Sequence, residues 1–131
     1  MIPPRVLVEE LFARNIALNP PATKNALCDL EAQLGYELHP YVLSVFEAFN
    51  GFAEGDIDER SFIHVRSIAE MIAAADDYPD FAFADIGWSA QMLGCRLGKI
   101  DDPVRDLDTG EVLAGGYADF WKKLVSNQLP F

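Results

Sequence analysis

The stretch Pro40-Tyr41-Val42-Leu43-Ser44-Val45-Phe46-Glu47-Ala48-Phe49-Asn50-Gly51 divides the chain into two halves of different character. Val42, Val45, Phe46 and Phe49 recur at i, i+3, i+4 and i+7, the spacing that gathers apolar side chains on one face of a helix. Proline is tolerated at the first helical position, because its missing N–H would have had no partner there. The Asn50-Gly51 pair ends the run. N-terminal to this stretch the pattern stays helical. Pro3-Pro4 opens a segment with Leu7, Leu11 and Phe12 at helical spacing, expected to run to about Ala17 before Asn19-Pro20-Pro21 breaks it. Thr23 is a suitable N-cap for a second helix carrying Leu27, Leu30 and Leu34, and Gly35 stands just past its end.

C-terminal to Gly51 the period changes. The run Glu54-Gly55-Asp56-Ile57-Asp58-Glu59 is polar and turn-prone, and Ser61-Phe62-Ile63-His64-Val65 reads as a short strand. Ser67 and Glu70 are spaced as a capping box opening a helix through about Ala75, which Asp76-Asp77-Tyr78-Pro79 ends. Phe81 to Asp85, Met92 to Leu97 and Val104 to Leu107 are short and bounded by Gly, Asp and Pro, as the strands of a meander are. Asp108-Thr109-Gly110-Glu111 is a hairpin-turn sequence leading into Val112-Leu113. A last helix, from Tyr117 to about Asn127, puts Phe120, Trp121, Leu124 and Val125 on one side. The expected fold is a single α+β domain over residues 1–131, with N-terminal helices packed on a small antiparallel sheet and a closing C-terminal helix.

A chain of 131 residues, half of them apolar, has the length of one domain. It hides about two thirds of its unfolded surface, so it needs neither disulfides nor a metal to fold. With 21 acidic and 10 basic side chains the formal net charge is −11. That excess argues against nucleic acid and against an anionic membrane surface, both of which call for clustered Lys and Arg. Met1-Ile2-Pro3-Pro4-Arg5 is not a basic region followed by an apolar stretch, and no apolar run approaches the ~20 residues that cross a bilayer. The expected location is the cytoplasm, with Cys28 and Cys95 reduced and buried.

The order and wording of these pieces resemble the SUKH superfamily, which includes Syd-like proteins, cell-wall-assembly regulators and bacterial toxin-immunity members. Three stretches and the closing helix carry the resemblance. They are Asn19-Pro20-Pro21-Ala22-Thr23 with Leu27, Leu30, Glu31, Leu34-Gly35 and Leu38-His39-Pro40; Tyr41 through Phe46 to Asn50-Gly51; Phe83-Ala84-Asp85 with Leu93, Cys95, Arg96 and Leu97; and Tyr117-Ala118-Asp119-Phe120-Trp121-Lys122-Lys123-Leu124. Together they span about Asn19 to Asn127. The resemblance implies helices packed on a twisted antiparallel sheet, and a binding role, often immunity against a competitor's toxin, with no family-wide catalytic site.

Catalytic chemistry leaves few traces in the residues themselves. His39 and His64 are the two histidines, with no His-x-x-x-His, Cys-x-x-Cys or zinc-spaced set of four ligands. Gly87-Trp88-Ser89-Ala90-Gln91 begins like a nucleophile elbow but lacks the closing glycine and precedes a strand. No glycine-rich phosphate cradle occurs. From Asp106, Gly110 falls at position 5 where a calcium loop wants glycine at 6, so Asp101, Asp102, Asp106, Asp108 and Glu111 read as a solvated hairpin region. His64, between Ile63 and Val65, reads as an ordinary exposed or hydrogen-bonded strand residue. No cofactor, metal or catalytic residue is expected.

Between Gly51 and Gly110 thirteen acidic side chains face five basic ones, so −8 of the −11 lies there, mostly in expected loops. Such loops either serve solubility alone or form a landing surface for a basic protein, since complementary fields raise association rate and specificity. Trp88, in a turn between strands, is expected first as a lid folded onto the core and second as an interface anchor; Tyr78 is a comparable aromatic. The candidate partner-binding residues are Glu54, Asp56, Asp58, Glu59, Asp76, Asp77, Tyr78, Asp80, Trp88, Asp101 and Asp102. The expected function is a non-catalytic protein-binding module, an immunity protein that neutralises a basic toxin domain such as a nuclease. The alternatives are a regulatory or scaffold module of the same fold and a small divalent-metal enzyme using Asp101 to Glu111.

Overall fold

The computed structural model describes residues 1–75 and 82–130. Pro3 and Pro4 set the start of helix α1 (Pro4–Ala13). It stops short of Ala17, because Asn15 turns left-handed (φ 61°). The Asn15 N–H then donates to the Phe12 carbonyl and the Ile16 N–H to the Leu11 carbonyl, which satisfies the last carbonyls of the helix. Leu7 and Leu11 are buried as expected, but Phe12 is 78% exposed. One residue on from Leu11 it lies about 100° further round the helix, away from the helices α1 packs against. Helix α2 (Lys24–Leu34) is capped by Thr23, whose Oγ1 accepts the Ala26 N–H at 3.1 Å, and ends on left-handed Gly35. In α3 (Pro40–Ala48) the His39 Nδ1 accepts the Tyr41 N–H, and Val42, Val45, Phe46 and Phe49 are buried as their spacing predicted.

Strands β1 (Ile63–Val65), β2 (Ala82–Ile86), β3 (Gln91–Gly94), β4 (Val104–Asp106) and β5 (Val112–Ala114) form one antiparallel sheet in chain order. Helix α4 (Ile68–Ala73) follows β1 and opens with the expected Ser67–Glu70 capping box. Three strands are shorter than their patterns, β4 by Leu107 alone. Phe62 is left-handed (φ 59°) and outside β1. After Gly94 the chain leaves the ladder toward the helical half: the Leu97 N–H donates to the Tyr36 hydroxyl at 3.0 Å, and its carbonyl accepts the His39 N–H at 2.9 Å. Cys95 is buried there, whereas Cys28, also expected buried, is exposed on α2, so no disulfide joins them.

Helix α5 (Tyr117–Val125) closes the core. Its Tyr117, Phe120 and Trp121 meet Tyr41 and Phe49 from the α3 segment and Phe83 from β2 edge-to-face, with centroids 5.0–6.2 Å apart. Burial pushes the Tyr41 hydroxyl, which donates to the Ile2 carbonyl, up to about 12. Beyond α5, Asn127 is left-handed (φ 57°). Arg14 links this end to α1: it donates to the Val125 carbonyl, to Asn127 Oδ1 and to Asp58 Oδ1 at 2.7–3.0 Å.

The halves meet at Asn50-Gly51. The Phe52 N–H donates to the Val65 carbonyl, and Asn50 Oδ1 accepts the Ile68 N–H that starts α4. Asn19 Nδ2 donates to the carbonyls of Asn50 and Phe52. Gly51 is left-handed (φ 72°), and a Cβ there would lie 2.5 Å from the Arg66 carbonyl oxygen. Gly51→Ala is expected to cost at least about 3 kcal/mol, the left-handed penalty of ~1–2 kcal/mol plus a backbone displacement. Gly35→Ala, where the added Cβ meets open space, carries the left-handed penalty alone. Urea unfolding of the two variants reads the difference directly.

Candidate functional site

The β2–β3 connection runs Ile86-Gly87-Trp88-Ser89-Ala90-Gln91, and Gly87, Trp88 and Ser89 are all left-handed at φ 62°, 52° and 72°. The Ala90 N–H closes this single turn on the Ile86 carbonyl at 3.1 Å. Glycine adopts that backbone freely; Trp and Ser each lose roughly 1–2 kcal/mol in it. Strain of this size persists where the surroundings over-determine it, and it concentrates at functional sites.

A buried ion pair supplies the constraint. Asp85 Oδ1 accepts the Ser89 N–H at 3.1 Å and its Oδ2 accepts Arg66 Nε at 3.0 Å. The Arg66 Nη2 donates onward to Ser89 Oγ at 3.3 Å and approaches Met92 Sδ at 3.7 Å. Asp85 lies opposite both His64 and Met92 in the ladder, so this cluster occupies one face of the sheet while Ile63, Ala84 and Leu93 serve the core on the other. The consequence is outward. Trp88 is 66% exposed, so it is displayed to solvent and not folded onto the core as a lid.

A second aromatic stands beside it. Phe62 is 52% exposed, and its carbonyl accepts the Gly87 N–H at 3.0 Å. Its own N–H donates to the Asp58 carbonyl. Asp58 in turn is anchored by Arg14 at 3.0 Å and by the Ser61 hydroxyl at 2.7 Å. Both aromatics therefore project from backbone that is expensive for them and rigidly held. The strand pattern hid Phe62, whose left-handed backbone has no local sequence signature; a hydrophobic residue between Ser61 and Ile63, breaking alternation, was the one available hint.

The acidic candidates separate in space. Asp58 is only 3% exposed, and its charge is spent on Arg14, so it is not a landing residue. Asp56 accepts the Ala17 N–H and is half-buried. Asp102 is half-buried and accepts the Arg96 N–H at 2.7 Å. Asp101 is exposed but lies with Asp102 in the β3–β4 connection, at the opposite end of the sheet from Trp88. Glu54 is exposed in the loop between Phe52 and Asp58, whose N–H groups bond the Val65 and Ile63 carbonyls along the outer edge of β1. Of these, the structure brings exposed Glu59 to the end that carries Phe62 and Trp88. Asp76, Asp77, Tyr78 and Asp80 lie outside the described residues. The Asp106 hairpin is also less solvated than expected: Asp106 is buried, and its Oδ1 accepts the N–H groups of Asp108 and Thr109.

His64 is buried, with Nδ1 2.7 Å from the Asp56 carbonyl oxygen and Nε2 at 3.0 and 3.1 Å from the Glu70 carboxylate. Burial pushes the Glu70 carboxyl up, but the Ser67 N–H and His64 outweigh it and hold it below its ordinary 4.5. Among the described residues no group of three or more His, Cys, Asp and Glu side chains is arranged to hold a metal ion, and no helix is long and apolar enough to cross a membrane. No protein-family model matches the chain, and no curated protein matches it.

Two measurements follow from this geometry. Asp85→Ala strands the Arg66 guanidinium and is expected to cost about 3–5 kcal/mol, whereas Trp88→Gly relieves backbone strain and changes stability by no more than about 1 kcal/mol; urea titration of both variants checks the contrast. Glu70, with its folded pKa depressed, stabilises fully above pH 4.5 and loses that contribution as pH falls through the folded value. Glu70→Gln is expected to flatten the acid limb of the stability–pH curve below 4.5, read by thermal melts from pH 3 to 7.

Proposed function

We propose that this chain is a non-catalytic, cytoplasmic protein-binding module, an immunity protein that neutralises a toxin domain by stoichiometric binding. The observation that carries the binding role is Trp88, held in solvent on a left-handed turn by the buried Arg66–Asp85 pair. Tryptophan is enriched among the few residues that dominate interface energies. A preformed display also avoids part of the ordering cost that binding otherwise incurs. The immunity role is supported by the resemblance of the Asn19 to Asn127 motifs to SUKH proteins, and a basic toxin, a nuclease for example, suits a molecule of net charge −11.

Blocking the toxin's active surface is the simplest mode of action, and it needs no group on this chain to turn over. The test is co-expression with the C-terminal domain of whatever large protein is encoded beside it. Growth is expected to be restored by the wild type, and Trp88→Ala is expected to weaken binding at least about 30-fold, equivalent to ~2 kcal/mol. Toxicity unchanged by the wild-type chain would sink the proposal for that pair. A pull-down that returns a housekeeping partner in place of a toxin favours the scaffold alternative. Association measured by stopped flow is expected to slow steeply between 50 and 500 mM salt, as steering between opposite charges requires.

A further inference from the structure

Strand direction gathers three connections at one end of the sheet. The residues entering β1 (58–62), the β2–β3 turn (87–90) and the β4–β5 turn (107–111) all lie there, because the strands alternate in direction and follow chain order. They are tied to one another. The Gly87 N–H donates to the Phe62 carbonyl at 3.0 Å, and the Leu107 N–H to the Met92 carbonyl at 2.8 Å. Gln91 Nε2 donates to Asp106 Oδ2 at 3.3 Å. The two turns sit two strand spacings apart, about 10 Å, so they present one surface and not two.

That surface has an apolar centre and an acidic border. Phe62 and Trp88 are its exposed aromatics; Glu59 stands on one side, and Asp108 and Glu111 on the other, all three exposed. Two cations lie near. Arg60 lines a groove with Lys123 toward α5, and Arg105 is exposed on β4. With Lys123 paired to Asp119 at 3.1 Å, Arg60 and Arg105 offset two of the three carboxylates, so the border is acidic by a single charge on a molecule of net charge −11, whose field repels a second copy of this chain and attracts a basic partner. Apolar centre with charged rim is the anatomy of a protein–protein interface, in which the centre holds and the rim steers.

Building on the binding role proposed above, we infer that this end of the sheet is the docking surface. Its occupant is a protein whose apolar pocket, rimmed by Lys and Arg, receives Trp88. Asp108 and Glu111 belong to the surface, while Asp101 and Asp102, at the far end, do not.

The test places the photo-crosslinker p-benzoylphenylalanine at position 112 of the full chain in its native cell, where Val112 is exposed beside the β4–β5 turn and Trp88 is kept, with position 28, exposed on α2, as the control. One dominant adduct is expected from position 112 alone, joined to a partner segment bearing Lys and Arg. Trp88→Ala, and the paired change Asp108→Lys with Glu111→Lys, are each expected to reduce it at least tenfold, while Asp101→Lys leaves it unchanged; near-ultraviolet circular dichroism confirms that each variant is folded. The inference is overturned by an adduct no stronger at 112 than at 28, by one indifferent to Trp88→Ala or to the paired change, by capture on an acidic segment, or by capture of a second copy. Toxin neutralisation separates the two ideas. Neutralisation without a position-112 adduct removes the surface and keeps the immunity role; a basic non-toxin captured at 112 does the reverse.

Discussion

The left-handed glycine at position 51, packed against the Arg66 carbonyl, is the constraint on which the rest of the molecule depends. It lets the end of α3 meet the end of β1 backbone to backbone. From that contact Phe52 bonds Val65, Asn50 starts α4 through the Ile68 N–H, and Asn19 bridges Asn50 to Phe52. Three separate segments are stitched at one point, and only a residue without a Cβ fits there. The aromatic cluster of α3, β2 and α5 can pack because this junction sets the angle between helices and sheet.

Two arginines extend the same logic to the periphery. Arg14, at the end of α1, donates to the Val125 carbonyl at the end of α5 and pairs with Asp58, so the N-terminal helix and the closing helix are locked to the loop before β1. Arg66 does the equivalent for the β2–β3 turn through Asp85. In each case a buried carboxylate is paired with a guanidinium and accepts further hydrogen bonds, an arrangement whose main effect is to enforce one geometry. Here the geometry enforced is the outward display of Phe62 and Trp88. Strain in the turn and exposure of a large aromatic both oppose stability, and their coincidence is the support for the binding role we propose.

The acidic excess divides once the side chains are placed. Asp56, Asp58, Asp85, Asp102 and Asp106 accept hydrogen bonds from backbone or guanidinium groups and hold turns together. Asp119 does the same at the start of α5, where the Gly115 N–H and Lys123 hold its carboxyl below the usual range. Charge in a connection is therefore not charge on a surface. The carboxylates left to solvent, Glu59, Asp108 and Glu111 among them, are the ones whose field extends beyond the molecule.

By itself the sequence determined the secondary structure that local physics controls. Thr23, Ser67–Glu70, Gly35 and the prolines at 4 and 40 marked helix ends, the 3.6-residue period of α3 marked its buried face, and short Gly- and Asp-bounded runs marked a meander, giving an α+β class that the structure bears out. These signals act within one turn or one strand, so a one-dimensional string carries them. The tertiary structure alone decided that Asn15 and Phe62 turn left-handed, that Phe12 faces solvent, that Asp58 is buried, and that Trp88 points outward. The last two depend on partners far along the chain: Arg14 on Val125 and Asp58, Arg66 on Asp85 and Ser89. Charge and aromaticity are legible residue by residue, but whether a side chain is spent inside the fold or offered at its surface is settled by which distant group reaches it first.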